Sequence, residues 1–236
     1  MRTSMLFKLV IIVLAVVVIA VLIWKLAPST NRTETEMSFK VHFDTTGWEL
    51  RESSDTREVW IDNDGDALTL NRMKGSADLP VDDLKTLRIR CRELAKANEG
   101  GLVSADVIDL HGLSVVTLIY KREELPAYAY TGMMVIPGNG EYFIIVVASV
   151  ERGTTGVRDA LVTAELFEQG KLDLTKTDDQ GRLEGWIYDP YDSEYDEGAL
   201  NSVADDERYD SLVPFHPLSK VRRTLRAIAD SLHWSE

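Results

Sequence analysis

One cysteine, Cys91, stands among 236 residues. No intramolecular disulfide can form, and no cysteine-rich metal site can be built. Histidine is nearly as scarce. His42, His111, His216 and His233 show no second histidine or cysteine at metal-ligand spacing. Basic charge is in deficit: 26 Lys and Arg face 39 Asp and Glu, a formal net charge of -13. That balance argues against a nucleic-acid partner, whose footprint is a basic patch. The motifs of common chemistries fail as well. Gly112-Leu113-Ser114-Val115-Val116 lacks the closing glycine of a nucleophile elbow and lies along a strand. Gly170-Lys171 lacks the earlier glycine of a phosphate loop. Gly138-Asn139-Gly140 joins two strands, so it opens no dinucleotide fingerprint. A calcium loop starting at Asp62 needs a glutamate twelfth, where Met73 stands. The sequence thus supplies no catalytic set, no cofactor motif and no metal site. The expectation is a protein that is not an enzyme.

What the chain does have is one long apolar run. Residues 9–24 read LVIIVLAVVVIAVLIW between Lys8 and Lys25, and residues 5–26 extend it. A bilayer core of roughly 30 Å takes about 20 helical residues, and lysine stems can snorkel to its edges. Trp24 suits the interface. The rival is a cleaved signal peptide. Its cut after Ala27 would put Lys25 at the minus-three position and Pro28 just beyond. The reading adopted is an uncleaved single-pass anchor, residues 1–27, in contact with lipid through 5–26. Arg2, Lys8 and the terminal amine precede the span; Lys25 and Arg32 follow it. The slight bias places the N-terminus in the cytoplasm and the rest of the chain outside it. Asn31-Arg32-Thr33 matches a glycosylation sequon, most simply by chance.

Residues 28–37 form a polar linker. From Ser38, apolar and polar residues alternate through Phe39, Val41 and Phe43, the period of a half-buried strand. Strand-like runs flank Asn63-Asp64-Gly65-Asp66, a hairpin signal. Residues 81–98 predict a helix with Leu84, Leu87, Cys91, Leu94 and Ala95 on one stripe, which makes Cys91 a core residue. Two hairpins follow, turning at His111-Gly112 and at residues 137–140. Residues 142–148, YFIIVVA, are apolar on both sides, so layers must cover both faces of that strand. Residues 156–169 predict a second helix with Val157, Ala160, Leu161, Ala164 and Phe167 inward. The expected fold class is α+β, a mainly antiparallel sheet sandwiched by helices over residues 38–170.

This order, the opening FKVHFDTTGWEL and the stretch TGMMVIPGNGEYFIIVVAS before a helix resemble the α/β/α sandwich of PsbP-type proteins. That family includes the extrinsic P subunit of photosystem II and the Mog proteins. The resemblance covers about residues 38–170. It implies the sandwich fold and a non-catalytic binding or assembly role, and it assigns no functional residue.

Residues 171–217 carry 13 acidic and four basic side chains, most of the chain's imbalance. Aromatics are interspersed: Trp186, Tyr188, Tyr191, Tyr195 and Tyr209. They are candidate docking residues of an acidic, aromatic extension. Residues 218–236 close the chain with an amphipathic helix, expected over 218–234 with Leu218, Val221, Leu225, Ile228 and Leu232 on its apolar stripe. On the 81–98 helix, Lys85, Arg88, Arg92 and Lys96 recur at helical spacing opposite the core stripe. They make either an ordinary solvated face or a basic stripe for an acidic partner, which could be the 189–210 segment itself or anionic lipid. The functional expectation is a membrane-anchored extracytoplasmic binding or assembly module working through an unidentified protein partner. The alternatives are a small-ligand or lipid carrier, and a hydrolase or transferase built from scattered residues such as Asp109, His111 and Glu123.

Overall fold

The computed structural model describes residues 40–179, 181–195 and 201–235. The expected anchor, the linker, the sequon and residues 196–200 of the acidic extension lie outside them. Among the described residues, no helix is long and apolar enough to cross a membrane.

The chain runs β1 (Lys40–His42), β2 (Trp48–Ser53), β3 (Arg57–Asp62), β4 (Ala67–Lys74), α1 (Leu84–Ala97), β5 (Gly100–Leu110), β6 (Leu113–Glu124), β7 (Ala127–Pro137), β8 (Glu141–Val150), α2 (Val157–Glu168), α3 (Pro217–Ser231) and β9 (His233–Ser235). Two short 3-10 turns, Val203–Asp205 and Glu207–Tyr209, precede α3. Strands β2 to β8 form one antiparallel sheet in the order β2-β3-β4-β8-β7-β6-β5. β4 ends mid-sheet while β5 lies at an edge. The connection must cross one face, and α1 forms that crossing. The two-residue turn at His111-Gly112 has both residues at positive φ, as a tight antiparallel hairpin requires.

The apolar run in β8 divides by strand parity. Tyr142, Ile144 and Val146 face a core shared with Leu87, Cys91 and Ala95 of α1. Phe143, Ile145 and Val147 face a core shared with Leu218, Val221, Leu225 and Ile228 of α3. The fold is therefore α+β, with a helix on each face of the sheet. α3 comes unusually close where β7 carries Gly132. A Cβ there would lie 2.5 Å from Val221 Cγ1 and 2.7 Å from Leu225 Cδ1.

The second cover is not the helix the sequence suggested. α2 leaves Val157, Leu161 and Phe167 exposed at 39%, 42% and 54%, and buries Arg158 and Val162 instead. Its partners are Trp186, Ala204 and Tyr209, a third small core. The acidic extension and α3 thus belong to the same packed body as the sheet, which continues past residue 170. The final helix is shorter than its apolar stripe implied. It stops at Ser231, Leu232 is extended, and β9 pairs antiparallel with β1.

Candidate functional site

Two groups of residues merit attention: the basic stripe with its aromatics, and the loops at one end of the sheet. Arg88 and Arg92, two of the four stripe residues, are occupied from within. Arg92 donates from Nε and Nη2 to both carboxylate oxygens of Asp189, at 2.8 and 2.7 Å, and lies 4.4 Å from the Tyr195 ring centroid. Asp192 stands 3.6 Å from Arg92 Nη1. Asp189 first, then Asp192 and Tyr195, hold the Arg92 guanidinium above its ordinary value despite partial burial. Arg88 bonds Ala105 O and Asp106, and its guanidinium stacks 3.9 Å from the Tyr191 centroid. Tyr191 Oη accepts from Ala105 N–H at 2.8 Å, on edge strand β5. Residues 189–195 thereby strap that edge, which would otherwise invite strand pairing.

The candidate docking residues separate accordingly. Arg88, Arg92, Tyr191 and Tyr195 hold the strap. Trp186 and Tyr209 are buried, at 9% and 7% exposure, in the third core. Tyr188 is half-buried, and burial pushes its phenol up. Lys85 and Lys96 are exposed. The stripe therefore does not present Arg88 and Arg92 to an outside partner. Arg92→Glu should release the strap. Breaking such a bidentate, mostly buried pair costs about 3 kcal/mol, roughly a hundredfold rise in the open state. Limited proteolysis read by mass spectrometry should show faster cleavage within 187–195, and unchanged cleavage would refute the clamp.

The opposite type of surface lies where β8 ends. Glu151 is buried there and gathers three loops. Its Oε2 accepts from Tyr128 N–H at 3.1 Å, and its Oε1 lies 3.2 Å from both Gly156 N–H and His216 Nε2. Burial raises the Glu151 pKa, yet His216 and the two backbone donors outweigh it and hold the carboxyl below its ordinary value. A lowered carboxylate contributes stability above its unfolded value and loses it as pH falls. The window opens below pH 4.5. Glu151→Gln should flatten the fall of the urea midpoint in that window. A slope as steep as the wild type's would move the effect to other carboxylates.

Around this hub the loops turn apolar groups outward. Leu125, at the β6–β7 turn, is 89% exposed and Phe215 is 87% exposed. Leu212 and Val157 flank Phe215 in a groove of about 470 Å³, whose wall includes Ser149, Glu151, Arg152, His216 and Lys220. The groove does not assemble a nucleophile. His216 Nδ1 accepts from Leu218 N–H at 3.2 Å, capping α3, so its proton sits on Nε2 and points to Glu151. It has no lone pair left for Ser149. Elsewhere, burial pushes the Cys91 thiol up to about 12, so it is no thiolate at neutral pH.

At the groove's rim Asp62, Asp64 and Asp66 converge. Lys220 Nζ lies 2.7 Å from Asp64 and 3.4 Å from Asp62, and also pairs with Asp66. Arg152 holds Asp66 from the other side at 2.6 Å. The position a cation would take is filled by an ammonium. Burial lowers the Lys220 pKa, but Asp64 and Asp66 more than reverse it.

Comparison with known proteins assigns none of this. No family model and no curated protein matches the chain. Among the solved structures that match, three illustrate the overlap, each in part. A Bacteroides thetaiotaomicron protein is 12% identical over 49% of this chain and 40% of its own, with a TM-score of 0.33. A Pseudomonas aeruginosa protein of unknown function, described as a putative regulator, is 15% identical over 63% of this chain and 90% of its own, with a TM-score of 0.29. LpqN of Mycobacterium tuberculosis, involved in cell envelope biogenesis, is 15% identical over 56% of this chain and 79% of its own, with a TM-score of 0.30. This chain thus spans well under half of the Bacteroides protein. At these scores the likenesses bring neither ligand nor partner with them, and none is described as a PsbP- or Mog-type protein.

Proposed function

We propose that the chain is a non-catalytic binding or assembly module, held at the cell membrane by residues 5–26 with its domain on the extracytoplasmic side. One observation carries the reading. The buried titratable groups around Glu151 are closed on one another, while Phe215, next to His216, and Leu125, on the turn that leads to Tyr128, stand almost fully in solvent. Exposed apolar side chains rimmed by charge mark contact surfaces. The rim here includes the exposed Glu123 and Asp64. The complementary partner is a protein surface with an apolar centre and a polar edge of mixed charge. β1 pairs with β9, whose Trp234 packs on His111 of the β5–β6 turn, at the other end of the sheet. A tether attached there would point the Phe215 end away from the bilayer. The PsbP-type resemblance fits such a role. A small-ligand carrier is the second reading, favoured by the groove volume, which falls within the range of about 300–1,000 Å³ typical of ligand sites.

Photo-crosslinkers placed at Leu125 and at Phe215 in native membranes test the proposal. Both positions should capture the same protein, and Phe215→Asp should abolish capture from Leu125 with the thermal midpoint unchanged. Different captures from the two sites, or capture that survives Phe215→Asp, would sink it. Protection of the domain from protease added to sealed cells would overturn the orientation.

A further inference from the structure

β1 and β9 fasten the two ends of the described chain to each other, with Lys40 opposite Ser235, Val41 opposite Trp234 and His42 opposite His233. Val41 and Trp234 turn toward the core, so His42 and His233 share the solvent face. The chain has four histidines, and two of them occupy one cross-strand pair. Directly opposed residues on antiparallel strands have Cβ atoms about 5 Å apart. The two imidazoles stack with centroids 5.4 Å apart and planes 24° from parallel.

We propose that His42 and His233 chelate one divalent first-row transition ion of the zinc type. This inference is independent of the membrane-module reading. Three features carry it. The first is spacing. A tetrahedral ion with metal–nitrogen bonds of about 2.0–2.1 Å sets two imidazole centroids roughly 5 Å apart. His42 and His233 already have that separation. His42 turns about χ2 to bring a nitrogen to the ion with the strands in place, while His233 keeps its bond to Ser231 O. The second is tautomer. His233 Nδ1 lies 3.0 Å from Ser231 O. A carbonyl only accepts, so the proton is on Nδ1 and Nε2 keeps its lone pair. This is the outer hydrogen bond that orients most ligating histidines. The third is the partner ring. His42 Nε2 lies 3.1 Å from Ser235 Oγ, a hydroxyl that can give or take a proton, so His42 can offer either nitrogen. Both rings are exposed, which leaves the remaining coordination positions to water. An ion bound there would cross-link β1 to β9.

The test is calorimetric titration of the full chain, in detergent, with zinc chloride. One saturable site per chain is expected. His42→Gln and His233→Gln should each weaken it at least tenfold, and the double variant should bind no more weakly than the poorer single. His111→Gln, which removes the histidine packed on Trp234, should leave it unchanged. Zinc should also raise the thermal midpoint of the wild type and of neither single variant. In long-range ¹H–¹⁵N spectra, zinc should shift His233 Nε2 and leave Nδ1 protonated. Absence of a saturable site, or wild-type affinity in either single variant, would overturn the proposal.

Discussion

Arg158→Met is expected to destabilise the folded chain by about 3–5 kcal/mol, the usual cost of stranding the partners of a buried charge. Arg158 is fully buried on α2. Its Nε donates to Ala204 O at 2.5 Å, Nη1 to Ser219 Oγ at 2.8 Å, and Nη2 to Asp206 O at 2.9 Å and Asp210 Oδ1 at 2.8 Å. These acceptors belong to the first 3-10 turn, to the residues that flank both turns, and to α3. One guanidinium therefore ties α2, the acidic extension and the helix over the sheet together. Methionine keeps much of the volume and the helix propensity. It leaves two carbonyls and a hydroxyl without their donor, each a penalty of about 1–3 kcal/mol when buried. Arg222 still reaches Asp210 at 2.9 Å, so the carboxylate keeps one cation. The control is Leu161→Ala on the exposed face of the same helix, with an expected effect within about 0.5 kcal/mol. Urea unfolding followed by circular dichroism measures both. A loss below 1 kcal/mol for Arg158→Met, or a larger loss for Leu161→Ala, would refute this account of which face of α2 is inward.

That face shows where sequence reading ran out. Apolar periodicity located α1 and most of its stripe: Leu87, Cys91 and Ala95 sit against the sheet, while Leu84, in the first turn, is 38% exposed. The doubly apolar β8 run announced covered faces, and Gly65 and His111-Gly112 mark hairpins by their positive φ. Each of these signals is local. α2 misled because its inward side is built on Arg158, and a buried arginine looks like a surface residue until its acceptors are known. They lie more than 40 positions further on, in the extension and in α3. The same reason made that extension look like a tail. Its acidic residues pair with Lys121, Arg92, Arg158 and Arg222, which are scattered over the chain. β9 was hidden by its length, three residues paired, among the described residues, with β1 alone. The basic stripe was visible as a spacing. Of its four cations, Arg92 meets Asp189 and Tyr195 and Arg88 meets Asp106 and Tyr191, while Lys85 and Lys96 are exposed.

Lys121 and Asp205 allow a sharper test, since the sign of a pH slope should invert. Lys121 projects from β6, almost wholly buried, with Nζ 2.9 Å from Asp205 Oδ2 and 4.3 Å from the Tyr128 ring centroid. Asp205 also accepts from Ser202 N–H at 3.0 Å, as part of a capping box. Burial alone would lower the Lys121 pKa, but Asp205 and Asp159 outweigh it and the value is raised. A raised lysine adds stability that is complete below its unfolded value, 10.5, and is lost as pH climbs through the folded one. Asp205→Asn keeps an oxygen for Ser202 N–H and removes the charge. Desolvation then dominates, and the folded pKa should drop below 10.5. In that variant stability should rise with pH toward 10.5, where the wild type is level or beginning to fall. Asp205→Asn and Lys121→Met should each cost about 3–5 kcal/mol near neutral pH. The double variant, which buries no unpaired charge at this pair, should fall short of their sum by about 2–3 kcal/mol. Urea midpoints for the four proteins at pH 7 and pH 10 complete the cycle. Additive losses, or an Asp205→Asn stability that does not increase with pH, would show that Lys121 is not held by Asp205. The coupling expected instead makes this buried pair a bolt between the sheet and the acidic segment, and it explains how so negative a stretch can pack against the rest of a protein that is itself acidic.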